Sequence, residues 1–324
     1  MSNMKAIVIS AFGPAKLSST SVHSASTTPK CTCVGEWAES VPISGIECVG
    51  TVEDCPGGEF TVGTPVAAFM GGLGRTTPGS YAQYTVADVG NVVALGDPGE
   101  ELPISWADAA ALPESYATAW TCLFRNLKVE RGHKLLIRGA TSAFGRAALN
   151  LAVEAGAIVT ATTRSESKFA QLKELGVSDV VTEGPNLSDR LREQGKTEKF
   201  DRILELVGNS TVVESLQLVR RDGYLCLAGW LGGLDPIKGP GPLPGFNPLL
   251  QMASGVNFNF FGSFVFGTPD FLVSDVPLRK IVHMVADGKF DAKPWKVFKF
   301  EEIREAHRAM ENHETNGKMV VVVD

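Results

Sequence analysis

The 324-residue chain has few cysteines and histidines, and they form no metal-binding pattern. Its six cysteines include one close pair, Cys31 and Cys33, and the spacing C-x-C alone is not typical of a zinc site. The five histidines are scattered along the chain. The sequence therefore predicts neither a structural nor a catalytic zinc.

Long apolar runs and strongly basic stretches are also absent from the sequence. No segment reaches the roughly 20 apolar residues of a membrane-spanning helix, and the N-terminus lacks the charged–apolar–small order of a signal peptide. The net charge of −6 argues against a nucleic-acid-binding protein, and no basic stripe with interleaved aromatic residues is present. We expect a cytoplasmic globular protein with reduced thiols.

Residues 134–168 have the pattern of a dinucleotide-binding unit. The apolar run within Lys134–Arg138 predicts a buried parallel strand, and small residues follow it. Apolar residues then recur at spacings of three and four up to Ala155, which predicts a helix, and Gly156 is a typical helix end. The β-branched residues within 158–162 predict a second strand. This order of elements favours a bound dinucleotide.

The turn between the first strand and the helix is poor in glycine. The three glycine positions of the pattern G-x-G-x-x-G hold Ala140, Ser142 and Gly145. Small side chains still let a pyrophosphate approach the backbone N–H groups and the positive end of the helix, and a serine hydroxyl can itself bond a phosphate. The turn alone leaves an ordinary connection between strand and helix equally open. The flanking strands and the helix favour the cofactor.

The end of the second strand bears on the choice between NAD and NADP. Sites for NAD usually carry an acidic residue there, which bonds the ribose 2′-OH, and residues 158–165 contain none. Arg164 can instead form a forked contact with a 2′-phosphate. Further donors nearby are Thr163, Ser165 and Lys168. The alternative is a solvated helix start, but cations are disfavoured at a helix N-terminus without an anion, so we expect NADPH/NADP+.

Strands and helices continue to alternate up to residue 228, which predicts a doubly wound parallel sheet with its ligand at the carboxyl ends of the strands. The first hundred residues instead predict short strands in a compact β domain. The chain end also has a strand pattern, which suggests a return to that domain. The fold class is thus α/β, with a nucleotide domain at 116–249 and a β-rich domain at 1–115 and 250–324.

Two local predictions concern the second half of the chain. Ser210 is a plausible N-cap for a helix that runs to about Leu218. The apolar, aromatic stretch Val256–Phe266 predicts a strand.

Several longer motifs together resemble one protein family. They are GIECVGTVEDCPGGEFTVGTPVAAFMGG near the N-terminus, ADAAALPESYATAWTCLF and RGATSAFGRAALNLAVEAGA in the middle, and NGKMVVVVD at the end. In these motifs the chain resembles the medium-chain dehydrogenase/reductases, specifically the zinc-independent quinone-oxidoreductase-like branch with its NADPH:quinone and enoyl reductases. The resemblance implies a Rossmann domain, a GroES-like β domain, NADPH/NADP+ as the cofactor and a homodimer.

The resemblance also implies which residues contact the cofactor. The phosphate loop, with residues 142–144 at the pyrophosphate, comprises Ala140, Thr141, Ser142, Ala143, Phe144 and Gly145. The 2′-phosphate would contact Thr163, Arg164, Ser165 and Lys168. The ribose groups would lie against Val207, Gly208, Gly229 and Trp230. The residues beside the nicotinamide would be Thr118, Phe261, Gly262 and Ser263, with Asn316 at its outer edge.

No general acid stands out in the sequence. Tyr116, at the opening of an alanine-rich helix, is the candidate catalytic residue, as a proton donor to a developing enolate. The candidate substrate contacts are Met70, Arg75, Tyr81, Phe264 and Phe266. The glycine-rich loop that holds the first two can equally be a solvated hairpin loop, and the aromatic residues can equally be core residues.

The chain departs from the family pattern in two places. Family members carry a strand and a nicotinamide-lining loop after the first hairpin, and both are missing from residues 18–37. Ser18–Lys30 is instead rich in serine and threonine, which predicts a flexible surface segment and a shortened β domain. Glu183 stands where many family members have a tyrosine near the adenine ribose phosphate.

These features favour one function and leave another open. The first is a zinc-independent, NADPH-dependent oxidoreductase that reduces a quinone or an α,β-unsaturated carbonyl (enone, enal or enoyl) by hydride transfer. Its substrate would be a small apolar or conjugated molecule. The alternative is a non-redox NADP-binding protein, such as a sensor, a structural protein or a cyclase, on a reductase scaffold. A Rossmann protein without a dinucleotide is a third possibility.

Overall fold

The computed structural model describes residues 6–10, 43–231, 246–312, 314 and 316–323. The predictions for residues 18–37, including the Cys31–Cys33 pair, lie outside these residues. In the described ranges, every helix is too short or too polar to span a bilayer.

The strands, numbered in chain order, are β1 (Ala6–Ser10), β2 (Glu47–Asp54), β3 (Pro65–Phe69), β4 (Tyr84–Asp88), β5 (Val92–Ala94), β6 (Lys134–Arg138), β7 (Ile158–Thr163), β8 (Asp179–Thr182), β9 (Phe200–Glu205), β10 (Val219–Leu227), β11 (Asn257–Phe260), β12 (Lys296–Lys299) and β13 (Met319–Val322). The α-helices are α1 (Trp106–Ala110), α2 (Pro113–Trp120), α3 (Ala143–Glu154), α4 (Phe169–Glu174), α5 (Leu187–Glu193), α6 (Val212–Leu218), α7 (Pro248–Gln251), α8 (Leu278–Ala286) and α9 (Ile303–Glu311). A π-helix at Thr121–Asn126 directly follows α2.

The chain divides into two compact units. The first comprises residues 1–117 and 263–324, and the second comprises residues 118–262. The two ends of the chain therefore belong to the same unit, as the strand patterns at both ends predict.

The 118–262 unit is built on a six-stranded parallel sheet in the order β11-β10-β9-β6-β7-β8. The apolar run of β6 is completely buried, as expected for a parallel strand that is covered on both faces. The order of the strands reverses between β6 and β9, and such a switch point is where doubly wound sheets bind their ligands. One core cluster of this unit comprises Leu136, Val181, Leu187, Leu191, Phe200, Ile203, Val212, Leu216, Val219, Leu225 and Leu227.

The end of this unit differs from the sequence prediction. β11 pairs with β10, with Tyr224 opposite Asn257, so that residues 257–260 belong to the sheet. The unit accordingly ends at Gly262, whereas the predicted nucleotide domain ends at residue 249. The strand predicted over Val256–Phe266 is also shorter, because a 310 turn forms at Ser263–Val265.

Local patterns missed one helix of this unit, and they predicted the end of another correctly but not its N-cap. α5 has only two buried residues, Leu187 and Leu191, which is too little apolar periodicity to identify a helix. α6 begins after Thr211, and Ser210 is exposed and does not cap it. The Thr211 hydroxyl lies 2.9 Å from a carboxylate oxygen of Glu205, which holds the chain in place before the helix starts.

The other unit contains a five-stranded sheet in the order β4-β1-β2-β3-β5 with antiparallel pairs, and a separate parallel pair of β12 and β13. All residues of β3 are buried, whereas β4 alternates between exposed and buried residues and forms an edge. The core cluster comprises Val52, Val66, Ala68, Ala87 and Val92. The predicted α/β class, with a doubly wound sheet and a separate β-rich domain, is confirmed.

Candidate cofactor-binding site

The phosphate loop connects β6 to α3. Gly139 turns the chain with a φ of 79°, in the left-handed region that favours glycine. The Ser142 hydroxyl accepts a hydrogen bond from the N–H of Gly145 (3.0 Å) and donates one to the carbonyl of Gly139 (3.1 Å). Ser142 therefore caps α3. Its contact with a phosphate stays a prediction.

Two backbone donors remain at the start of α3. The N–H groups of Ala143 and Phe144 find no hydrogen-bond acceptor among the described residues. Unpaired N–H groups in a first helical turn, together with the helix dipole, form an anion site. A Cβ at Gly145 would lie 2.6 Å from the carbonyl oxygen of Gly139, so that only glycine allows the helix to pack this closely on the loop. The loop fits the pyrophosphate of a dinucleotide.

The turn after β7 carries the side chains that are expected at the 2′-phosphate. Thr163 is buried at the end of the strand, and its hydroxyl oxygen accepts a bond from the N–H of Ser165 (3.3 Å). Arg164 is exposed and makes no ion pair or hydrogen bond with the residues that the structure describes. Lys168 ends the 310 turn that follows. The structure thus brings these four residues together on one short turn.

A buried arginine occupies the carboxyl end of β6. Arg138 is fully buried, and its guanidinium faces three carboxylates. Its Nη2 lies 2.5 Å from Oε1 of Glu183, and its Nη1 lies 3.1 Å from Oε2 of Glu214. Its Nε lies 3.8 Å from Oε2 of Glu205. Arg138 thereby joins the carboxyl ends of β8 and β9 to α6, and the sequence predictions include none of these roles. We call these four residues the Arg138 cluster.

Glu205 holds the turn after β9. Its Oε1 accepts hydrogen bonds from the N–H groups of Val207 (2.8 Å) and Gly208 (3.2 Å), two residues expected to line the ribose. Its Oε2 accepts a bond from the Ser215 hydroxyl (2.5 Å). Burial raises the pKa of the Glu205 carboxyl, because the loss of water disfavours its charged form more than Arg138 and these donors favour it.

Glu183 connects the arginine to the phosphate loop. Its two oxygens accept a forked pair of bonds from Nη2 and Nε of Arg138 (2.5 and 3.1 Å). Its Oε2 also accepts a bond from the Thr162 hydroxyl (2.5 Å), whose oxygen accepts one from the N–H of Gly139 (3.2 Å). Burial opposes the charged form of Glu183, but Arg138 outweighs it and the pKa of Glu183 lies below its ordinary value. The acid that departs from the family pattern therefore faces the protein interior.

Further residues expected at the cofactor lie at the carboxyl ends of β9, β10 and β11. Gly208 has a φ of 109°, which favours glycine. Trp230 packs edge-to-face against Phe260, with ring centroids 5.4 Å apart. Phe261 is buried and follows β11, and Thr118 is a buried residue of the same unit. The expected ribose wall and the phosphate loop thus share one edge of the sheet, since parallel strands all end on the same side.

Tyr116, Ser263, Asn316 and the expected substrate contacts belong to the other unit. Tyr116 is buried, and its ring stacks on Phe290 with centroids 5.9 Å apart. Its role as a proton donor stays a prediction.

Two of the expected substrate contacts lie close together in that unit. Phe266 is buried and packs edge-to-face on Phe69, with centroids 5.3 Å apart. The side-chain amide of Asn91 donates to the carbonyls of Phe69 (3.0 Å) and Phe266 (2.9 Å). Met70, the next residue after β3, is buried with a φ of 63°, which is uncommon outside glycine. Asn91 thus fixes both segments.

The other three expected substrate contacts are not gathered into this group by any contact described. Arg75 is half-buried on the loop after β3, and Phe264 is exposed. Tyr81 packs against His307, with ring centroids 5.7 Å apart.

Metal ligands do not cluster in the described residues. No three side chains of histidine, cysteine, aspartate or glutamate in the described ranges are grouped so that they could hold a metal ion. Burial raises the pKa of the Cys48 thiol to about 12, so that its metal-binding thiolate form is disfavoured.

Comparisons with known proteins identify relatives of the chain. A family model described as zinc-binding dehydrogenase matches residues 143–271. A zinc-type alcohol dehydrogenase-like protein of Schizosaccharomyces pombe is 26% identical over 269 residues, which are 81% of this chain and 72% of that protein. A quinone oxidoreductase-like protein 2 homolog of Nematostella vectensis is 24% identical over 289 residues, 85% of this chain and 77% of that protein.

One relative is much longer than this chain. A highly reducing polyketide synthase of Fusarium pseudograminearum is 27% identical over 293 residues. The match covers 88% of this chain but spans only 11% of the synthase.

Solved structures share the fold. Escherichia coli quinone oxidoreductase complexed with NADPH superposes with a TM-score of 0.75 and 17% identity over 98% of this chain and 92% of that chain. An enoyl reductase, CurK, superposes with a TM-score of 0.68 and 24% identity over 87% of this chain and 80% of that chain. At this level of identity the likeness shows a Rossmann domain with a GroES-like domain. Fold, family model and relatives agree in one likeness: the chain is similar to the quinone-oxidoreductase-like branch of the medium-chain dehydrogenase/reductase superfamily of oxidoreductases.

Proposed function

We propose that the chain is an NADPH-dependent reductase that acts without zinc on a quinone or an α,β-unsaturated carbonyl. The observation that carries this proposal is Arg164, exposed on the turn after β7 and unpaired among the described residues. A guanidinium in this position suits the 2′-phosphate, which NADPH has and NADH lacks. Escherichia coli quinone oxidoreductase, which shares the fold, was solved in complex with NADPH, and this supports the same cofactor.

The phosphate loop would bind the rest of the cofactor's charge. The N–H groups of Ala143 and Phe144 would bond the pyrophosphate at the positive end of α3, and Gly145 lets the loop stay close to the helix. Glu205 would keep the turn at Val207 and Gly208 in place beside the ribose. When bound, the cofactor supplies a hydride.

The protein's own part in the reaction would be to orient the acceptor and deliver a proton. Phe266 and Met70 are the proposed apolar contacts of a conjugated substrate, and Asn91 bonds the carbonyls of Phe266 and of Phe69, the residue before Met70. Tyr116 is the proposed proton donor. Tyr116→Phe should lower kcat for enones while NADPH affinity stays the same, whereas an unchanged kcat would remove Tyr116 from the mechanism.

A substrate panel tests the proposed activity. The full chain would be given NADPH with benzoquinones, 2-alkenals, enones or enoyl thioesters, and the loss of NADPH absorbance would be followed. We expect turnover of at least one class, and a lower kcat/KM with NADH in place of NADPH. Enoyl thioesters are included because polyketide synthases are among the relatives. If no member of the panel consumes NADPH, a reductase of these substrates is contradicted.

The second candidate function is a non-redox NADP-binding protein. It is favoured by residues 18–37, where the sequence lacks the nicotinamide-lining loop of the family. Calorimetry separates the two candidates. Tight NADPH binding without turnover would favour this second function, and no heat with either NADPH or NADH would contradict both.

We also propose that two copies of the chain form a homodimer through β11. This strand lies at the edge of its sheet, and its Phe258 and Phe260 are 41% and 51% exposed. An exposed edge with apolar side chains favours pairing with another strand. Light scattering should give the mass of a dimer, and Phe258→Lys should give a monomer. A monomeric parent chain would contradict the proposal.

A further inference from the structure

We propose that Arg138 sets the preference for NADPH over NADH by neutralising Glu183 and turning it into the protein. This inference rests on the proposed function, because it concerns the cofactor site of the proposed reductase. Arg138 would be a positioning residue, since its guanidinium is fully buried and would act on the 2′-phosphate pocket through Glu183.

Glu183 stands beside the expected 2′-phosphate pocket. It directly follows β8, which pairs in parallel with β7 so that Thr182 lies opposite Thr163. The N–H of Glu183 donates to the carbonyl of Thr163 (2.8 Å), and Thr163 is one of the residues expected at the 2′-phosphate. A carboxylate that left this position toward the cofactor would repel a 2′-phosphate and could bond a ribose 2′-OH, as the acid of an NAD site does.

The carboxylate is instead directed inward. The side chain of Glu183 is only 6% exposed, and both of its oxygens bond Arg138. The Thr162 hydroxyl and the N–H of Gly184 (3.0 Å) donate to the same carboxylate. Arg164, on the neighbouring turn, therefore makes no ion pair with Glu183 or with another acid in the described part of the chain.

The other two acids of the Arg138 cluster engage the arginine less closely. Glu205 lies 3.8 Å from Nε, and its oxygens also accept bonds from two backbone N–H groups and the Ser215 hydroxyl. Glu214 is partly exposed, and its other oxygen accepts a bond from the N–H of Ser188 (3.2 Å). Glu183 alone receives a forked pair of bonds, and it is therefore the acid that loses most when Arg138 is removed.

A freed Glu183 has a route to water. A buried carboxylate that loses its cation either takes up a proton or moves into solvent. Solvent lies close to this carboxylate, because Pro185 and Asn186, which follow it in the chain, are exposed. The same movement would place a negative charge beside the turn that holds Arg164.

Two double variants test this inference against a purely structural role of Arg138. Arg138→Met/Glu183→Gln removes the arginine and the acid in question. Arg138→Met/Glu214→Gln removes the arginine and a different acid of the same cluster, one that holds no cofactor-lining turn, so that both variants keep the same number of carboxyl groups. Kd values for NADPH and NADH would be measured for both variants and for the parent chain, with circular dichroism as the check on folding.

We expect the variant that retains Glu183 to bind NADPH about tenfold more weakly than the parent chain, with NADH affinity unchanged or higher. The variant without Glu183 should keep the parent's NADPH-to-NADH ratio within about threefold. Equal ratios in the two variants would overturn the inference. So would failure of both variants to fold, or of the Glu183-retaining variant alone, because the inference requires that the freed carboxylate can turn to solvent.

A failure of the proposed function is visible separately. If the parent chain binds neither cofactor, or binds NADH as tightly as NADPH, the cofactor assignment itself is wrong. If the parent chain prefers NADPH and the two double variants behave alike, only the role of Arg138 is wrong.

Discussion

Removal of the Arg164 guanidinium should weaken NADPH binding selectively. Arg164→Ala deletes one charged donor group from the turn after β7 and removes no hydrogen bond or ion pair with the described residues. A hydrogen bond to a charged group contributes about 1.5–3 kcal/mol. Because Arg164 is exposed and screened by water and salt, we take the lower end of this range. A loss of about 1.5 kcal/mol corresponds to about a tenfold rise in the Kd for NADPH.

Calorimetric titration of the same protein with NADPH and with NADH isolates this effect. NADH lacks the 2′-phosphate, so that its Kd should stay within about twofold of the parent value. Raising the salt concentration should reduce the difference between parent and variant, because salt screens exposed charges. Arg192→Ala is a matched control, since Arg192 is an exposed arginine of the same unit that pairs with Asp189 at 2.6 Å, away from the turn after β7.

Two results would refute this reasoning. If Arg164→Ala raises the Kd values of NADPH and NADH equally, Arg164 does not recognise the 2′-phosphate. If Arg192→Ala has the same effect as Arg164→Ala, the loss reflects the net charge of the unit and not a contact.

Three further predictions concern the phosphate loop, the Arg138 cluster and metal ions. Gly145→Ala places a Cβ 2.6 Å from a backbone oxygen, and the overpacking should cost about 1–3 kcal/mol, more than the gain of about 1 kcal/mol in helix propensity. We therefore expect a lower Tm and weaker NADPH binding, and an unchanged Tm would contradict this. The pKa of Glu183 is lowered by folding, so its contribution to stability is present above its ordinary value of 4.5 and is lost as the pH falls through the lowered pKa. The free energy of unfolding in urea should therefore fall more between neutral and acidic pH for the parent chain than for Glu183→Gln. Parallel plots of this free energy against pH would argue against the ion pair. Dialysis against a zinc chelator should leave NADPH-dependent activity unchanged, and a loss that Zn²⁺ restores would disprove the zinc-free proposal.

Local patterns sufficed for the elements around the phosphate loop. β6 is a parallel strand covered on both faces, so it appears in the sequence as an apolar run. α3 starts at a serine cap and is followed by Gly156, which has a φ of 79°, and both ends are local features of the chain. The nucleotide-binding unit could therefore be predicted from the sequence without knowledge of its neighbours.

The Arg138 cluster could not be predicted in this way. Arg138 and Glu205 each stand at the end of an apolar run, where a charged residue normally marks the surface. They are register partners of adjacent strands, β6 and β9, which are joined only in the folded sheet. The bonds from Arg138 to Glu183 and Glu214 join residues 45 and 76 positions apart. Opposite charges at the carboxyl ends of neighbouring strands are the sequence signal that could have revealed the cluster once the strand order was known.

The role of Ser142 shows a different limit. Its residue type suits both a phosphate ligand and a helix cap, and the structure shows the capping bonds with Gly139 and Gly145. These bonds depend on groups that the fold brings to the hydroxyl, and the residue type alone does not specify them.

The hydrogen bonds from Asn91 to Phe69 and Phe266 have a consequence for the order in which the chain folds during synthesis. Asn91 and Phe266 are 175 positions apart, and the whole 118–262 unit lies between them in the sequence. Translation proceeds from the N-terminus, and domains generally fold as units as they emerge. The nucleotide-binding unit can therefore fold before residue 266 has left the ribosome, whereas the β-rich unit cannot form its Asn91–Phe266 bond until then. The part of the sequence that is made first belongs to the unit that is finished last.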